Sequence, residues 1–240
     1  MFIRAIQTEI LKLWGSLALL IVLVVPALIG AVIFLALLTN PKPPSWQGVF
    51  EDFAFPIWSF FLLPMAVTAF ATLLGNIEHR SGIWEHWLSL PVPRWCYYAA
   101  KVSVVILGTW LMTALAVGLV YLSAVFAGSI TGQVPLSSID WAHITSLSVL
   151  TGASAVMFAV LQLWAALRFT NFVMPLALGI IGTLIAIAVT MTRTKQADYF
   201  PWVLPVRVVT SADPVTPALV GLCGGIVCAL LMIIELQRRR

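Results

Sequence analysis

Residues 78–101, which read EHRSGIWEHWLSLPVPRWCYYAAK, form the longest break in apolar character in the first two-thirds of the chain. Between Ser81 and Pro91 this stretch has the spacing of a short amphipathic helix. Pro91 and Pro93 end the helix, because a proline ring clashes with the preceding turn. Tryptophans beside charges are typical of a membrane surface, so we place the helix there. Its apolar face holds Ile83, Trp84, Trp87 and Leu88, and its polar face holds Glu85, His86 and Ser89.

The composition excludes a water-soluble globular protein. Of the 240 residues, 61% are apolar and 9% are charged, and the mean hydropathy is +1.04. A soluble domain has roughly 25% charged residues. Cys223 and Cys228 are five residues apart on one apolar run and would face different directions, so we expect neither a disulfide nor a metal site from the cysteines.

Six apolar runs predict six transmembrane helices and an all-α integral membrane fold that forms one domain over residues 1–240. Pro26 falls inside the first run and frees a backbone carbonyl. We therefore expect a kink there that packs against protein rather than lipid. The predicted spans cover residues 17–38, 55–75, 102–127, 144–167, 172–191 and 218–236.

The basic residues predict the side of the membrane that each loop faces. With the N-terminus inside, nine lysines and arginines lie in inner segments and four lie in outer loops, and inner loops carry this excess in membrane proteins. Both termini are then cytoplasmic, which requires an even number of spans. The loop at 76–101 is predicted inside and the loop at 192–217 outside. The inner residues are Arg4, Lys12, Arg80, Arg94, Lys101, Arg168, Arg238, Arg239 and Arg240, and the outer ones are Lys42, Arg193, Lys195 and Arg207.

The segment before the first span is amphipathic. Ile3, Ile6 and Ile10 fall on one side of a helix, and Arg4 and Lys12 fall on another. We predict an interfacial helix within residues 1–16 that lies on the membrane. The alternative is that this segment extends the first span.

The sequence offers little for catalysis or for ion-driven transport. No predicted span has an Asp or Glu in its middle third, whereas carriers driven by ions use intramembrane carboxylates. His79 and His86 each follow a glutamate and could be imagined as metal ligands. Gly82 lies between them, and helical metal sites favour closer spacings, so a polar surface that faces a partner is the preferred interpretation. The sequence also lacks a glycine-rich phosphate loop for ATP.

Gly221 and Gly225 form a GxxxG pattern in the predicted sixth span. Small residues at this spacing let two helix backbones approach closely. We expect packing within the subunit, and a contact between two subunits is the alternative.

The helix at 83–90 has two interpretations. A membrane subunit driven by a soluble ATPase needs a rigid protrusion that is joined stiffly to its spans. A short helix with two tryptophans, closed by Pro-Val-Pro, suits that task. The other interpretation is an ordinary interfacial helix between two spans. The composition does not separate the two.

This loop resembles the cytoplasmic segment of ABC-2-type permeases. The pattern of that family is an acidic residue, a glycine at the start of a short helix, Leu-Ser-Leu-Pro, an arginine and a lysine that opens the third span. The opening TEILKLW at 8–14 and the aromatic-proline loop at 199–205 are similar to the bacitracin and lantibiotic self-protection branch. The matching residues of the loop are Glu78, Gly82, Leu88, Ser89, Leu90, Pro91, Arg94 and Lys101.

The resemblance implies the type V six-span exporter fold, with two such subunits and two separate ATPase chains that bind ATP and magnesium. It also implies that residues 1–16 contain a connecting helix and that a coupling helix within 76–101 docks on the ATPase. Trp84 and His86 depart from the threonine and simpler residues of many members, which puts the choice of ATPase in doubt. The implied coupling residues are Glu78, Arg80, Ser81, Gly82, Ile83, Trp84, Glu85, His86, Trp87, Leu88 and Arg94.

We therefore expect a permease subunit of an ABC exporter in the bacterial cytoplasmic membrane, without catalysis or a cofactor of its own. The implied substrates are peptide antibiotics or other amphiphilic or hydrophobic molecules. Its partners would be ABC ATPase subunits and a second permease subunit, identical or related, and no nucleic acid. The alternative is a six-span membrane enzyme or assembly factor that acts without ATP. Four tryptophans are candidates for the substrate path, although interfacial anchoring explains most tryptophans in such chains. They are Trp46, Trp58, Trp110 and Trp202.

Overall fold

A computed structural model describes residues 2–39, 45–81, 93–132, 138–192 and 198–238 of the chain, with only the backbone described for residues 78–81 and 94. Within these ranges every regular element is a helix. Six helices are long and apolar enough to cross a membrane, which confirms the predicted six-span, all-α membrane fold. The first to sixth spans are Leu17–Thr39, Gly48–Ile77, Arg94–Thr131, Trp141–Arg168, Val173–Thr192 and Val215–Arg238. Two further helices are Phe2–Leu13, here called the N-terminal helix, and the short helix Leu204–Thr210.

The second and third spans are longer than the apolar runs that predicted them. The helix of the second span begins at Gly48 and continues past Ile77 to Ser81, and the third span begins at Arg94. Both extensions mix apolar residues with charged ones, such as Glu51 and Asp52 in the second span and Arg94 and Lys101 in the third, and hydropathy identifies only the continuously apolar part of a helix. With 38 residues, the third span is about 57 Å long, against about 30 Å for the hydrocarbon core of a bilayer. It therefore extends well beyond the membrane.

The second span contains two π-helical segments that the sequence did not predict. They are Gly48–Ala54 and Trp58–Leu62, on either side of the α-helical turn Phe55–Ile57. The N–H of Phe55 donates to the carbonyl of Phe50, five residues back, which is the π-helical pattern. Such segments are rare and frequently lie at functional sites.

Close helix packing holds the spans together. The first span packs mainly on the third, and the sixth packs mainly on the fourth. Pro26 is buried, as expected for a proline that frees a carbonyl in a span. At Gly221, a Cβ atom would lie 2.3 Å from the backbone oxygen of Ser154, so the backbones of the fourth and sixth spans are in direct contact. At Gly225, a Cβ atom would lie 2.5 Å from the side chain of Val156 in the fourth span, which agrees with the expected packing within the subunit.

The two ends of the bundle form two membrane faces, because consecutive spans cross in opposite directions. We call the two ends the junction face and the far face. Lys101 and Tyr121 lie on the same helix and are about 30 Å apart along its axis, so they lie near opposite faces. The junction face contains Leu17, Ser81, Arg94, Arg168, Val173 and Arg238, and the far face contains Thr39, Gly48, Thr131, Trp141, Thr192 and Val215.

Candidate functional site

Four of the predicted coupling residues, Glu78, Arg80, Ser81 and Arg94, lie at the junction face. The backbone at Glu78, Arg80 and Ser81 continues the helix of the second span, and Arg94 begins the third span. Residues 82–92 lie outside the described ranges, so the predicted coupling helix stays a prediction. The structure therefore defines the two helices that hold this loop but not the loop itself.

A buried ion pair ties the N-terminal helix to the third span at this face. Nζ of Lys101 lies 2.8 Å from Oε2 of Glu9, and both side chains are almost completely buried, with exposed fractions of 0% and 1%. The other carboxylate oxygen of Glu9, Oε1, lies 2.5 Å from Nζ of Lys12 on the same helix. One carboxylate thus bridges two ammonium groups. The ring of Tyr97 adds to the cluster, with its centroid 5.2 Å from Nζ of Lys101 and 5.4 Å from Nζ of Lys12.

The carboxyl of Glu9 stays ionised although it is buried, because Lys101 and Lys12 lie beside it. Burial by itself raises the pKa of the Glu9 carboxyl, but attraction to Lys101 and Lys12 outweighs it, and the pKa lies below its ordinary value of 4.5. Buried ion pairs add little net stability, but removal of one partner is costly because the other charge then lacks compensation. The pair therefore fixes where the N-terminal helix meets the third span.

Aromatic and apolar contacts extend this junction. The rings of Phe2 and Trp95 stack with centroids 6.5 Å apart. Trp95, near the start of the third span, therefore contacts the N-terminal helix in addition to Lys101. Ile3, Ile10 and Leu11 are exposed on the other side of that helix. The sequence analysis predicted one apolar and one charged side for this helix. In the structure the side that packs on the bundle is centred on the buried Glu9 instead. Exposed apolar residues beside the bundle suit a helix that lies in a membrane interface.

A tight turn joins the N-terminal helix to the first span. Gly15 has a φ of 77°, in the left-handed region that glycine adopts without strain. The hydroxyl of Ser16 donates to the carbonyl of Leu13 at 2.8 Å. The junction face thus connects the first and third spans through one short helix.

A second ionic contact lies at the same face, between the ends of the fourth and sixth spans. Nη1 of Arg168 lies 3.4 Å from Oε1 of Glu235. The indole N–H of Trp164 donates to Oε2 of Glu235 at 2.6 Å. The sequence placed Arg168 and Glu235 at span ends but did not predict that they meet. These contacts fix the position of the end of the fourth span against the end of the sixth.

The four candidate tryptophans of the substrate path occupy different environments. Trp46, Trp58 and Trp202 are buried inside the subunit, whereas 42% of Trp110 is exposed. The indole N–H of Trp58 donates to Oγ1 of Thr113 at 3.3 Å and so joins the second and third spans. Trp202 packs against Gly182 of the fifth span. Of the four, only Trp110 is exposed, and it lines a groove of about 480 Å³ between the third and fourth spans. The substrate path stays a prediction.

The imagined metal pair is not tested by the structure. His86 lies outside the described residues, and only the backbone of His79 is described. Among the side chains that are described, no group of three His, Cys, Asp or Glu residues is placed to hold a metal ion. His143 instead contacts Glu51, with Nε2 3.3 Å from Oε1.

The sequence analysis named Lys101 as a residue of the inner side and did not predict that it pairs with Glu9. A signal was present, because acidic residues are rare in this chain, Lys101 directly precedes the third predicted span and Glu9 lies shortly before the first. Charges at such positions need partners. They are 92 positions apart in the sequence, so their contact depends on how the helices pack, which the order of the residues does not show.

Comparison with known proteins gives a match at the level of a family. Residues 5–186 match the family model described as ABC-2 family transporter protein. The match begins inside the N-terminal helix, includes Glu9 and Lys101, and continues into the fifth span. No curated protein and no solved structure matches the chain.

Proposed function

Since this chain belongs to the ABC-2 family of transporter proteins, we propose that it is the membrane subunit of an ATP-driven exporter. The six-span helical fold fits a transport subunit that is not itself a catalyst. ATP and magnesium bind to separate ABC ATPase subunits, and two permease subunits, identical or related, form the transport path.

The observation that carries this proposal is the buried Glu9–Lys101 pair at the junction face, where the helix of the second span ends at Ser81 and the third span begins at Arg94. An ATPase that pushes the loop between these two helices moves the start of the third span. Because Lys101 holds Glu9, the N-terminal helix moves with it, and the turn at Gly15 passes the motion to the first span. The short helix at 83–90 docks on the ATPase, and its displacement changes the packing of the spans.

The substrate is an amphiphilic or hydrophobic molecule, such as a peptide antibiotic, a drug or a lipid-like compound. The protein lies in the bacterial cytoplasmic membrane with the junction face and both termini in the cytoplasm. The excess of lysine and arginine at that face supports this orientation. Transport then proceeds from the cytoplasm or the membrane towards the far face.

The test is co-purification with an ABC ATPase encoded beside this chain, followed by ATPase assays of the complex in lipid. We expect the two proteins to purify together. Trp87→Ala and Glu85→Ala should each leave membrane insertion intact and reduce substrate-stimulated ATP turnover by about tenfold or more, as for loss of a central interface side chain. Tyr199→Ala is the control, because Tyr199 is 65% exposed at the far face.

Normal substrate-stimulated turnover in both coupling variants contradicts the coupling role of this helix. The second candidate, a membrane enzyme or assembly factor that acts without ATP, predicts that no ATPase binds the chain. A chain that inserts correctly, fails to bind the ATPase and retains its cellular effect would support that candidate instead.

A further inference from the structure

The fifth span meets its neighbours through a stripe of small residues. Its buried positions include Pro175, Gly179, Gly182 and Ala186, which recur at the spacing of one helix face. None of these four residue types has a side chain that forms hydrogen bonds. Thr183 is the other buried residue of this span, and its hydroxyl donates to the carbonyl of Gly179 at 2.8 Å. We call the contact between this stripe and the rest of the bundle the fifth-span seam.

Three buried polar atoms on the other side of the seam have no hydrogen-bond partner among the described residues. They are Oγ1 of Thr68, Oε1 of Gln162 and Nε1 of Trp202, in side chains with exposed fractions of 0%, 0% and 6%. A Cβ atom at Gly179 would lie 2.2 Å from Oγ1 of Thr68, and one at Gly182 would lie 2.9 Å from Nε1 of Trp202. Unpartnered polar atoms in a dry interior are costly, and native proteins keep few of them.

The start of the fifth span is held by hydrogen bonds. The side-chain nitrogen Nε2 of Gln162 donates to the carbonyl of Pro175 at 2.5 Å and to Oγ1 of Thr72 at 3.4 Å. Because a carbonyl only accepts, this atom is the amide nitrogen, and Oε1 is the unpartnered acceptor. The backbone N–H of Val173 also donates to Oδ1 of Asn171, in the short connection from the fourth span, at 2.9 Å. The fifth span is thus fixed at its junction-face end.

The hydroxyl of Thr68 differs from those of two other buried threonines. In a helix, a threonine hydroxyl can bond to the carbonyl four residues back. Those of Thr109 and Thr183 do so, each at 2.8 Å. The hydroxyl of Thr68 has no such bond, although the residue is fully buried. It lies instead against Gly179 in the seam, where none of the described residues bonds to it.

We propose that the fifth span swings away from the second and fourth spans about its fixed start, and that water enters the opened seam. Water then donates to Oε1 of Gln162, accepts from the indole N–H of Trp202 and bonds to the hydroxyl of Thr68. Trp202 stays on the fourth span, where its ring centroid lies 5.9 Å from that of Phe158. The small residues of the stripe part without disengaging interlocked side chains. The open form is a minor state of the isolated subunit, so this inference does not depend on the proposed function.

The test measures the access of water to single cysteines in the purified full-length chain. The three native cysteines, Cys96, Cys223 and Cys228, are first replaced by alanine. The protein is then placed in lipid nanodiscs, which leave both faces open to solvent. The probe is 2-(trimethylammonium)ethyl methanethiosulfonate, because its fixed charge keeps it out of lipid and dry protein.

Thr68→Cys and Thr183→Cys place one thiol on each side of the seam. We expect each thiol to react at about 0.1–10% of the rate at Tyr199→Cys, an exposed site, which is the usual population of a minor state. Thr109→Cys is the matched control, because Thr109 is equally buried and its hydroxyl is bonded. It should react at least about tenfold more slowly than Thr68→Cys, since it is reached only when the spans unfold.

A second pair of variants tests whether the unpartnered hydroxyl favours opening. Thr68→Val keeps the shape of the side chain and removes the hydroxyl. In this variant Thr183→Cys should react about fivefold more slowly, the change expected from one polar group that is unpaired only in the closed form. Thr109→Val removes a bonded hydroxyl in the third span and should leave the rate at Thr183→Cys unchanged.

Two results would overturn this inference. If either seam thiol reacts no faster than Thr109→Cys, the seam stays closed. If Thr68→Val leaves the rate at Thr183→Cys unchanged, the hydroxyl does not favour opening. Because these measurements need no ATPase, they are separate from the co-purification test. An ATPase complex with a closed seam would contradict this inference alone, and an opening seam in a chain that binds no ATPase would contradict the proposed function alone.

Discussion

Lys101 is a charged side chain that is completely buried at the edge of the membrane bundle, and Glu9 is its partner. In water two such charges attract weakly, but inside a protein each depends on the other because both have lost their hydration. This ion pair therefore holds the N-terminal helix in one fixed position on the third span.

We predict that Glu9→Gln lowers the free energy of unfolding by about 3–5 kcal/mol, because the buried ammonium group of Lys101 loses its contact at 2.8 Å with the charged carboxylate of Glu9. The double variant Glu9→Met with Lys101→Met should regain most of this loss, since an apolar pair of similar volume replaces both charges. Unfolding of the purified protein in detergent measures both effects. A double variant that is as unstable as the single one would contradict the explanation.

The same carboxylate predicts a dependence of stability on pH. The pKa of Glu9 is lower in the folded protein than in the unfolded chain, so its contribution is present above the ordinary pKa and is lost as the pH falls through the folded pKa. The difference in Tm between wild type and Glu9→Gln should be constant near neutral pH and should shrink below about pH 4.5. A difference that grows in acid would show that the sign is wrong.

At the scale of elements, glycines decide how closely the helices approach. Gly221 leaves no space for a methyl group, because the backbone of Ser154 occupies it. The GxxxG pattern in the sixth span is therefore used inside the subunit. A surface for a second copy of the chain must be formed by other residues.

We predict that Gly221→Ala lowers the free energy of unfolding by about 1–3 kcal/mol, because the fourth and sixth spans must separate to admit the new methyl group. Gly118→Ala is the control in the third span, where nothing lies within 4 Å of the added atom. It should be neutral or stabilising by up to about 1 kcal/mol, since alanine favours a helix. Thermal unfolding measures both, and equal effects would contradict the close contact.

Hydropathy was sufficient to predict the six spans, because lipid requires long apolar helices and leaves few other solutions. It did not predict the helical extensions at Gly48 and Arg94, since charged residues interrupt the apolar pattern there while the helix continues. The π-helical segments around Pro56 were also missed, because they depend on local backbone packing. The pairing of Glu9 with Lys101 required the three-dimensional arrangement of two distant helices.

At the scale of the whole molecule, two features lie on opposite sides of the membrane. The ion pair of Lys101 lies at the junction face. The aromatic ring of Tyr121 lies near the far face, where it packs between the rings of Trp46 and Trp141. A charged contact and an aromatic cluster thus lie at the two ends of one bundle.

One feature of the third span joins these two ends. Its 38 residues contain no proline, so Lys101 and Tyr121 belong to a single stiff rod. When such a helix tilts about a point inside the bilayer, its two ends move in opposite directions. A change in the tilt of this helix at Lys101 therefore also moves the aromatic cluster around Tyr121 on the opposite side of the membrane. No series of side-chain rearrangements through the membrane is needed.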